Sequence, residues 1–569
     1  MSSFIIEATV VILLLLYRHL NKFWGYLEAL SVPMIQENIF SVHKLVFPKF
    51  DQACLKKYGK IWTKYEGFVP HIFVADPDLL KEIMIKNFDC FMDRQHFPIG
   101  EKLCSLITSR SDAWHAMRKL ISPLFTTAKV KPMLGSLTAV TDEFIENVEK
   151  KRKQGQDDTV DFKPLLQYLS LDAVASCAFG IEGNSFQKPE SDLYKRCCRL
   201  FSDFRLRSFG ESIAFYICSR IPILLKIVDF IGMSNFEYLF NFTKNIGYNR
   251  QKTRGDFIDK LNETQLKNLE CKGELNENQI YAQGIGIIQA AFETTSNTMG
   301  TLLHMLAKHP EVQSKLFEEI QDVFGDENVD EAVTMDKLTQ LTYMNAVIFE
   351  NLRINPPVCR LDRTCIKDCK IGDIQFKKGT IIQIPVYAIH HHEEFYPEPE
   401  LFNPDRFLGL SAPPRGDLTY LSFGAGPRYC AGIKFAMAEI KITLLKVLRT
   451  FILKDSSKTK LEILGGDLVR ETTYGLHRVV FPTFDVACMH KYGRVWGKYE
   501  GVTPHVFIVE PELLKDVLVK RFESFVERQY FPMEDKHRSL VDARSDAWKT
   551  MRKALTAPFS PLGSSRTCS

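Results

Sequence analysis

The chain has 569 residues, of which 45% are hydrophobic and 25% charged, enough apolar material for a large core. Its 73 basic and 69 acidic residues leave a net charge of +4, so composition gives no case for a nucleic-acid partner. The 14 cysteines show no zinc-like pairing, Cys365-x-x-x-Cys369 standing alone, and such scattered thiols fit a reducing, cytosol-facing protein better than a disulfide scaffold.

In chain order, the first feature is an apolar run from Phe4 to Tyr17, broken only by Glu7 and Thr9. It is shorter than the ~20 residues of a straight membrane-crossing helix. A cleaved signal peptide is disfavoured, because no positive residue precedes the run and no small-x-small site follows it. A buried core helix competes with a membrane anchor over residues 1–29. The anchor is favoured because Arg18, Lys22 and Trp24 follow as interfacial and positive-inside markers.

Residues 72–75 (Ile-Phe-Val-Ala) and 381–384 (Ile-Ile-Gln-Ile) read as short strands bounded by turn formers. Trp114 and Arg118 stand four residues apart, a spacing that puts an indole and a guanidinium on one helix face. From roughly 130 to 355 amphipathic stretches dominate, so most of the mass is helical. The stretch 200–240 is rich in Phe, Ile and Leu, which by itself reads as core helix. Within a later helical run lies Ala290-Ala291-Phe292-Glu293-Thr294-Thr295-Ser296, where Thr294 has an alternative reading as a helix threonine bonded back to its i−4 carbonyl. Glu350 and Arg353 share a helix face ahead of Pro356-Pro357, and Arg406 follows in Phe402-Asn403-Pro404-Asp405-Arg406-Phe407.

The most informative segment is Phe423-Gly424-Ala425-Gly426-Pro427-Arg428-Tyr429-Cys430-Ala431-Gly432, just ahead of a helical run from Ile433 to Phe451. Its glycines permit positive φ and close approach to a flat ligand. Arg428 offers a fork that suits a carboxylate. Cys430, at a helix N-terminus, lies where the dipole and unpaired amides favour thiolate. A thiolate in a nest of donors beside such an arginine is what haem iron needs for an axial sulfur ligand. The alternative is a buried cysteine in a turn. Downstream, Leu461 to Val480 reads as a terminal hairpin region around Gly465-Gly466.

These motifs, in this order, resemble the cytochrome P-450 superfamily, whose haem-thiolate signature the loop matches without a mismatch. The resemblance covers about residues 30 to 480 and implies a mainly α domain with a small β-sheet region, its haem b lying between two central helices. It implies Cys430 as the axial thiolate ligand of the iron. It implies Trp114, Arg118, Arg94, Arg363 and Arg428 as partners of the haem and its propionates, and Phe423 as the aromatic beside the sulfur. Glu293 and Thr294 match the acid and threonine that assist proton delivery, whereas Ala291 replaces a usual glycine that widens the helix. Glu350, Arg353 and Arg406 would form a structural network beneath the haem, and the stretch 200–240 would, as an equal alternative to core helix, roof the substrate pocket.

By the same resemblance the protein is a membrane-anchored monooxygenase of the endoplasmic reticulum with its catalytic domain in the cytosol. It would insert one oxygen atom of O2 into a lipophilic small molecule, with electrons from an NADPH-dependent flavin reductase docking near Lys434. An isomerase or dehydratase acting on hydroperoxides, and an inactive fused copy that only binds haem, are the rival readings.

The chain also repeats itself. Residues 47–125 align without a gap onto 481–559, with 40 identities in 79 positions. Too long a period and too few copies exclude a solenoid. The second copy contains Arg528, Trp548 and Arg552 but no cysteine loop and no oxygen-activating helix, so residues 481–569 are expected to be a partial, non-catalytic duplicate.

Overall fold

A computed structural model describes residues 25–35, 47–66, 69–95, 104–154, 159–202, 233–270, 275–325, 332–414 and 416–455, and the strand segments 473–478, 495–500 and 503–508. The chain divides into two compact units, Met1–Val479 and Val480–Ser569.

The first unit is mainly helical. Seven helices position the site: α1 (Phe47–Tyr58), α2 (Ser111–Ile121), α3 (Leu134–Gln154), α4 (Phe162–Val174), α5 (Glu277–Lys308), α6 (Thr342–Ile354) and α7 (Ile433–Thr450). Helix α5 is the long central one. It starts with a capping box in which the Asn276 side chain accepts from the Gln279 N–H at 2.9 Å and Gln279 Oε1 accepts from the Asn276 N–H at 3.0 Å. It ends where His309 leads into Pro310 at the start of the next helix. Helices α4, α5 and α7 are buried around most of their circumference, which marks interior helices. Gly284 is required inside α5, because a Cβ there would stand 2.3 Å from the Thr243 side chain.

A four-stranded sheet, in the order β1-β2-β7-β4, stands beside the helices. Strands β1 (Ile61–Glu66) and β2 (Val69–Val74) are antiparallel, β2 runs parallel to β7 (Ile381–Ile384), and β7 is antiparallel to β4 (Leu361–Thr364). The strand at 381–384 has the expected bounds. The one expected at 72–75 starts earlier and stops at Val74, since Asp76 is taken as the N-cap of the helix Pro77–Lys81, accepting from the Leu79 N–H at 2.8 Å. Among the smaller strands, β3 (Thr159–Asp161), β5 (Cys369–Ile371), β6 (Ile374–Phe376), β8 (Phe451–Lys454) and β9 (Thr473–Arg478), β9 pairs with both β8 and β3. The end of the expected terminal hairpin region thus returns to Phe451–Lys454, while the turn at Gly465-Gly466 lies outside the described residues.

Apolar side chains collect in two main clusters, a large one among the helices and a smaller one around the sheet that includes Trp62, Phe73, Phe91 and Ile382. The cysteine loop belongs to both: Ala425 is part of the sheet cluster, and Phe423 and Ala431 pack on the helical one.

In the second unit, β10 (Val495–Glu500) and β11 (Thr503–Ile508) form an antiparallel hairpin. Its register, Val495↔Ile508 and Trp496↔Phe507, reproduces Ile61↔Val74 and Trp62↔Phe73 of the first unit. The repeated sequence therefore specifies the same local structure. Strand β2 continues into a larger sheet, whereas β10 and β11 make a two-stranded sheet among the described residues. No helix among the described residues is long and apolar enough to cross a membrane, and the apolar run at 4–17 lies outside them.

Candidate active site

The loop before α7 takes the shape its glycines allow. Gly424 and Gly426 have φ of 74° and 67°. A Cβ on Gly426 would come within 2.1 Å of the Met84 carbonyl oxygen, so no side chain fits there. The Cys430 N–H donates to the Phe423 carbonyl at 2.9 Å and closes the loop. Helix α7 begins at Ile433 with Gly432 as its cap. The Cys430 sulfur is accessible to solvent yet enclosed enough that burial raises its thiol above the usual range. Opposing this are hydrogen bonds from the Gly432 and Ile433 N–H groups and the positive charges of Arg118 and Arg94. Two amides of the expected nest thus serve the sulfur, and the charges of Arg118 and Arg94 act on it.

The loop is held from below by α6. Tyr420 donates to the Phe349 carbonyl at 3.2 Å and Ser422 to the Leu352 carbonyl at 2.9 Å. Between them, the Leu421 N–H donates to His390 Nε2 at 2.9 Å, which leaves the proton of this imidazole on Nδ1, donating to the Arg353 carbonyl at 3.1 Å. Burial pushes His390 down to about 3, so the ring stays neutral. Arg353 in turn grips Glu350 through Nε at 2.8 Å and Nη2 at 2.9 Å, and Arg406 Nε lies 3.4 Å from the same carboxylate. The Glu–Arg–Arg network expected from the sequence is in place. His390, which couples it to the cysteine loop, was not anticipated; the run His390-His391-His392 was the available signal.

Above the loop, cations gather without enough anions. Arg363 on β4 is fully buried, and burial together with Arg94 pushes it down to about 10. Arg428 is pushed down to about 9 by burial and by Arg94 and Arg363. The nearby carboxylates are already engaged: Asp93 accepts from the Ser111 N–H at 2.7 Å and Arg110 Nε at 3.1 Å, and Asp362 accepts from the Gln95 N–H at 2.5 Å. The Nε–H groups of Arg94 and Arg363 are buried with no acceptor. Orphaned donors on clustered cations call for an added anion. Haem b, with its two propionates, fits this residue set, and Cys430 provides the sulfur on the same loop as Arg428.

Two of the expected contacts take a different form. The fork of Arg428, expected to meet a carboxylate, donates instead to the Met92 carbonyl at 2.7 Å and the Ser109 carbonyl at 2.9 Å, while its carbon stands 4.6 Å from the centre of the Trp114 ring. It ties the loop to the segments that carry Arg94 and α2. Trp114 is buried behind it, and Arg118, one turn on, is half-buried near Cys430. Phe423 packs at the edge of the helical cluster with its ring 6.5 Å from that of Tyr429.

On α5, Glu293 is not solvent-facing. Its carboxylate is buried against α4, accepting from Gln167 Nε2 at 2.9 Å and pairing with Lys163 Nζ at 3.4 Å. Lys163 also donates to Asn297 Oδ1 at 3.1 Å. Neither Lys163 nor Gln167 was marked by a motif, because only packing of α4 on α5 brings them there. The Thr294 hydroxyl donates back to the Ala290 carbonyl, the helical bond that competed with a catalytic reading. Helix α5 continues unbroken through Ala291, consistent with the loss of the glycine that would widen it.

The family model of cytochrome P450 matches residues 30–479 and again 480–567. The chain is 31% identical over 492 residues to cytochrome P450 3A29 of Sus scrofa, covering 84% of this chain and 94% of that protein. It is 31% identical to cytochrome P450 3A7 of Homo sapiens, over 81% of this chain and 93% of the relative. To lithocholate 6-beta-hydroxylase of Mesocricetus auratus it is 32% identical, over 72% of this chain and 82% of the relative. The cysteine loop, its helical support and the unneutralised arginines thus belong to a chain that is a member of the cytochrome P450 family, oxygen-incorporating oxidoreductases that use haem b with a cysteine thiolate as axial ligand, followed by a partial repeat of its own N-terminal region.

Proposed function

We propose that this chain hydroxylates a lipophilic small molecule, inserting one atom of O2, with electrons from an NADPH-dependent flavin reductase at the cytosolic face of the endoplasmic reticulum membrane. The observation that carries the reading is the Cys430 sulfur served by the Gly432 and Ile433 N–H groups and favoured as thiolate by the charges of Arg118 and Arg94. The thiolate-held haem supplies the dioxygen-activating chemistry. Cys430 would provide the sulfur, and the Gly432 and Ile433 amides would hold it as thiolate. Arg94, Arg363 and Arg118 would take the propionates, with Arg428 and Trp114 bracing the loop from behind.

Glu293 would pass on protons arriving from the Lys163 side, and Thr294 would present its hydroxyl once the bond to Ala290 opens. Hydroxylation draws support from the relative named lithocholate 6-beta-hydroxylase. The membrane reading rests on the apolar run 4–17 with Arg18, Lys22 and Trp24 after it.

The test compares the reduced carbon monoxide difference spectrum of the full chain with that of Cys430→Ser. The red-shifted band is expected in the first and absent in the second. Reconstitution with the reductase, NADPH and isotopically labelled O2 should then place one labelled atom in a lipophilic test substrate. An unchanged spectrum in the variant overturns the site. Turnover of a hydroperoxide without reductase, in place of labelled product, favours the isomerase or dehydratase reading.

A further inference from the structure

The two contacts of the Glu293 carboxylate are unequal. Lys163 Nζ lies 3.4 Å from Oε1 and is shared with Asn297 Oδ1 at 3.1 Å. Gln167 Nε2 donates to Oε2 at 2.9 Å, the shorter bond. A long, divided contact with a flexible ammonium attracts the carboxylate but sets its direction weakly, whereas a short amide bond sets it well. The direction of Glu293 is therefore given by Gln167.

The Gln167 amide is itself held. Its Oε1 accepts from the Tyr194 hydroxyl at 2.9 Å. Tyr194 comes from a third helix, Asp192–Ser202. Its ring centre stands 4.7 Å from that of Tyr168, the neighbour of Gln167, and 6.3 Å from that of Phe292, the neighbour of Glu293. An ionised carboxylate only accepts, so the buried amide must turn its NH2 to Glu293 and its oxygen away. That oxygen needs a donor, and the Tyr194 phenol supplies it. Burial raises this phenol well above its usual range, so it keeps the proton it donates.

We propose that Tyr194 and Gln167 are positioning residues for the oxygenation reaction: Tyr194 fixes the amide of Gln167, and Gln167 aims the Glu293 carboxylate. This role rests on the proton-passing role proposed for Glu293. Without the Tyr194 hydroxyl, Gln167 Oε1 has lost its donor and the amide is free to turn over, presenting oxygen to a carboxylate that cannot donate to it. Without the amide, Glu293 Oε2 loses its short bond while Lys163 stays.

The test uses the full-length holoprotein and four variants: Tyr194→Phe, Gln167→Met, the two combined, and Glu293→Gln as reference. Tyr194→Phe keeps the ring and Gln167→Met keeps the length, and the reduced carbon monoxide spectrum checks haem loading in each. With reductase, NADPH and naphthalene as the lipophilic probe, turnover should fall about threefold in Tyr194→Phe and about tenfold in Gln167→Met, with KM unchanged and a larger solvent isotope effect. The double variant should be no slower than Gln167→Met, because the tyrosine acts only through the amide. In protein labelled with carbon-13 glutamate and free of substrate, the infrared carboxylate band that disappears in Glu293→Gln should shift in both Tyr194→Phe and Gln167→Met. If naphthalene is not converted, the infrared comparison decides alone.

An unmoved band overturns the proposal. So does a Gln167→Met enzyme as fast as the parent when Glu293→Gln is slow, or a double variant slowed by the product of the single effects. If Glu293→Gln itself turns over as fast as the parent, the proton-passing role of Glu293 fails instead, and the band shift still decides whether Tyr194 and Gln167 aim it.

Discussion

Glu350 and Arg353 stand one helical turn apart on α6, both completely buried, and their side chains meet through two hydrogen bonds of 2.8 and 2.9 Å. The remaining donors of Arg353 end on the carbonyls of His390 at 2.8 Å and Leu401 at 3.3 Å, and the Asn403 N–H donates to Glu350 at 2.9 Å. The pair therefore fastens three chain segments and, through His390, the cysteine loop. Removing Arg353 takes both of its short bonds from the buried Glu350 carboxylate and leaves it only Arg406 as counter-ion, at 3.4 Å. Arg353→Ala should destabilise the fold by roughly 3–5 kcal/mol. Denaturant titration and the amount of haem-loaded protein recovered on expression would both report it.

Arg363 gives the opposite result in the free protein. It is buried beside Arg94, and its lowered proton affinity means that the folded chain disfavours the charge it carries at pH 7. Arg363→Met should leave the haem-free protein as stable or more stable, while haem transfers faster to an acceptor protein. A loss of stability without faster haem release would show that Arg363 serves packing and not propionate binding.

Glu439 on α7 makes stability depend on pH. It is buried, accepts a hydrogen bond from Ser170 at 2.7 Å, and its second oxygen has no partner. Burial raises its carboxyl to about 8 from an ordinary value of 4.5. A raised carboxyl pKa means the folded state holds a proton that the unfolded state releases, so its contribution declines as pH climbs from 4.5 to 8 and stays low above that. Glu439→Gln should match the parent near pH 5 and exceed it by a few kcal/mol above pH 8, at roughly 1.4 kcal/mol per pH unit across the window. Denaturation midpoints from pH 5 to 9 check this.

The Glu293–Lys163 pair predicts a kinetic effect. Lys163→Met removes the cation 3.4 Å from Glu293 while Gln167 remains bonded to it. Turnover should slow by roughly tenfold or more, with substrate affinity little changed and a larger solvent isotope effect, as expected when proton movement becomes limiting. Equal turnover in the variant would assign the pair to helix packing alone.

The second unit supplies a deletion test. Residues 480–569 repeat the first hairpin but contain no cysteine loop. A chain ending at 479 should give the same reduced carbon monoxide spectrum per molecule as the full chain. A higher yield of the shorter form would mean that the appended unit hinders folding.

Much of the site was legible because it is local. A glycine-rich loop ahead of a helix fixes where Cys430 and its donors stand, since positive φ and helix-end amides depend on neighbours within a few residues. The i, i+3 spacing of Glu350 and Arg353 and the i, i+4 spacing of Trp114 and Arg118 are equally local. The repeated hairpin shows the same thing twice, as one sequence pattern gives one register.

Tertiary structure alone decided what faces these groups. That Glu293 pairs with Lys163 depends on α4 lying along α5. That Arg428 spends its fork on the Met92 and Ser109 carbonyls depends on where two distant segments cross the loop. Sequence by itself determines backbone conformation and the chemistry on offer at each position. Long-range packing decides which charges and donors meet, because burial strengthens every such encounter and no short-range pattern encodes the partner.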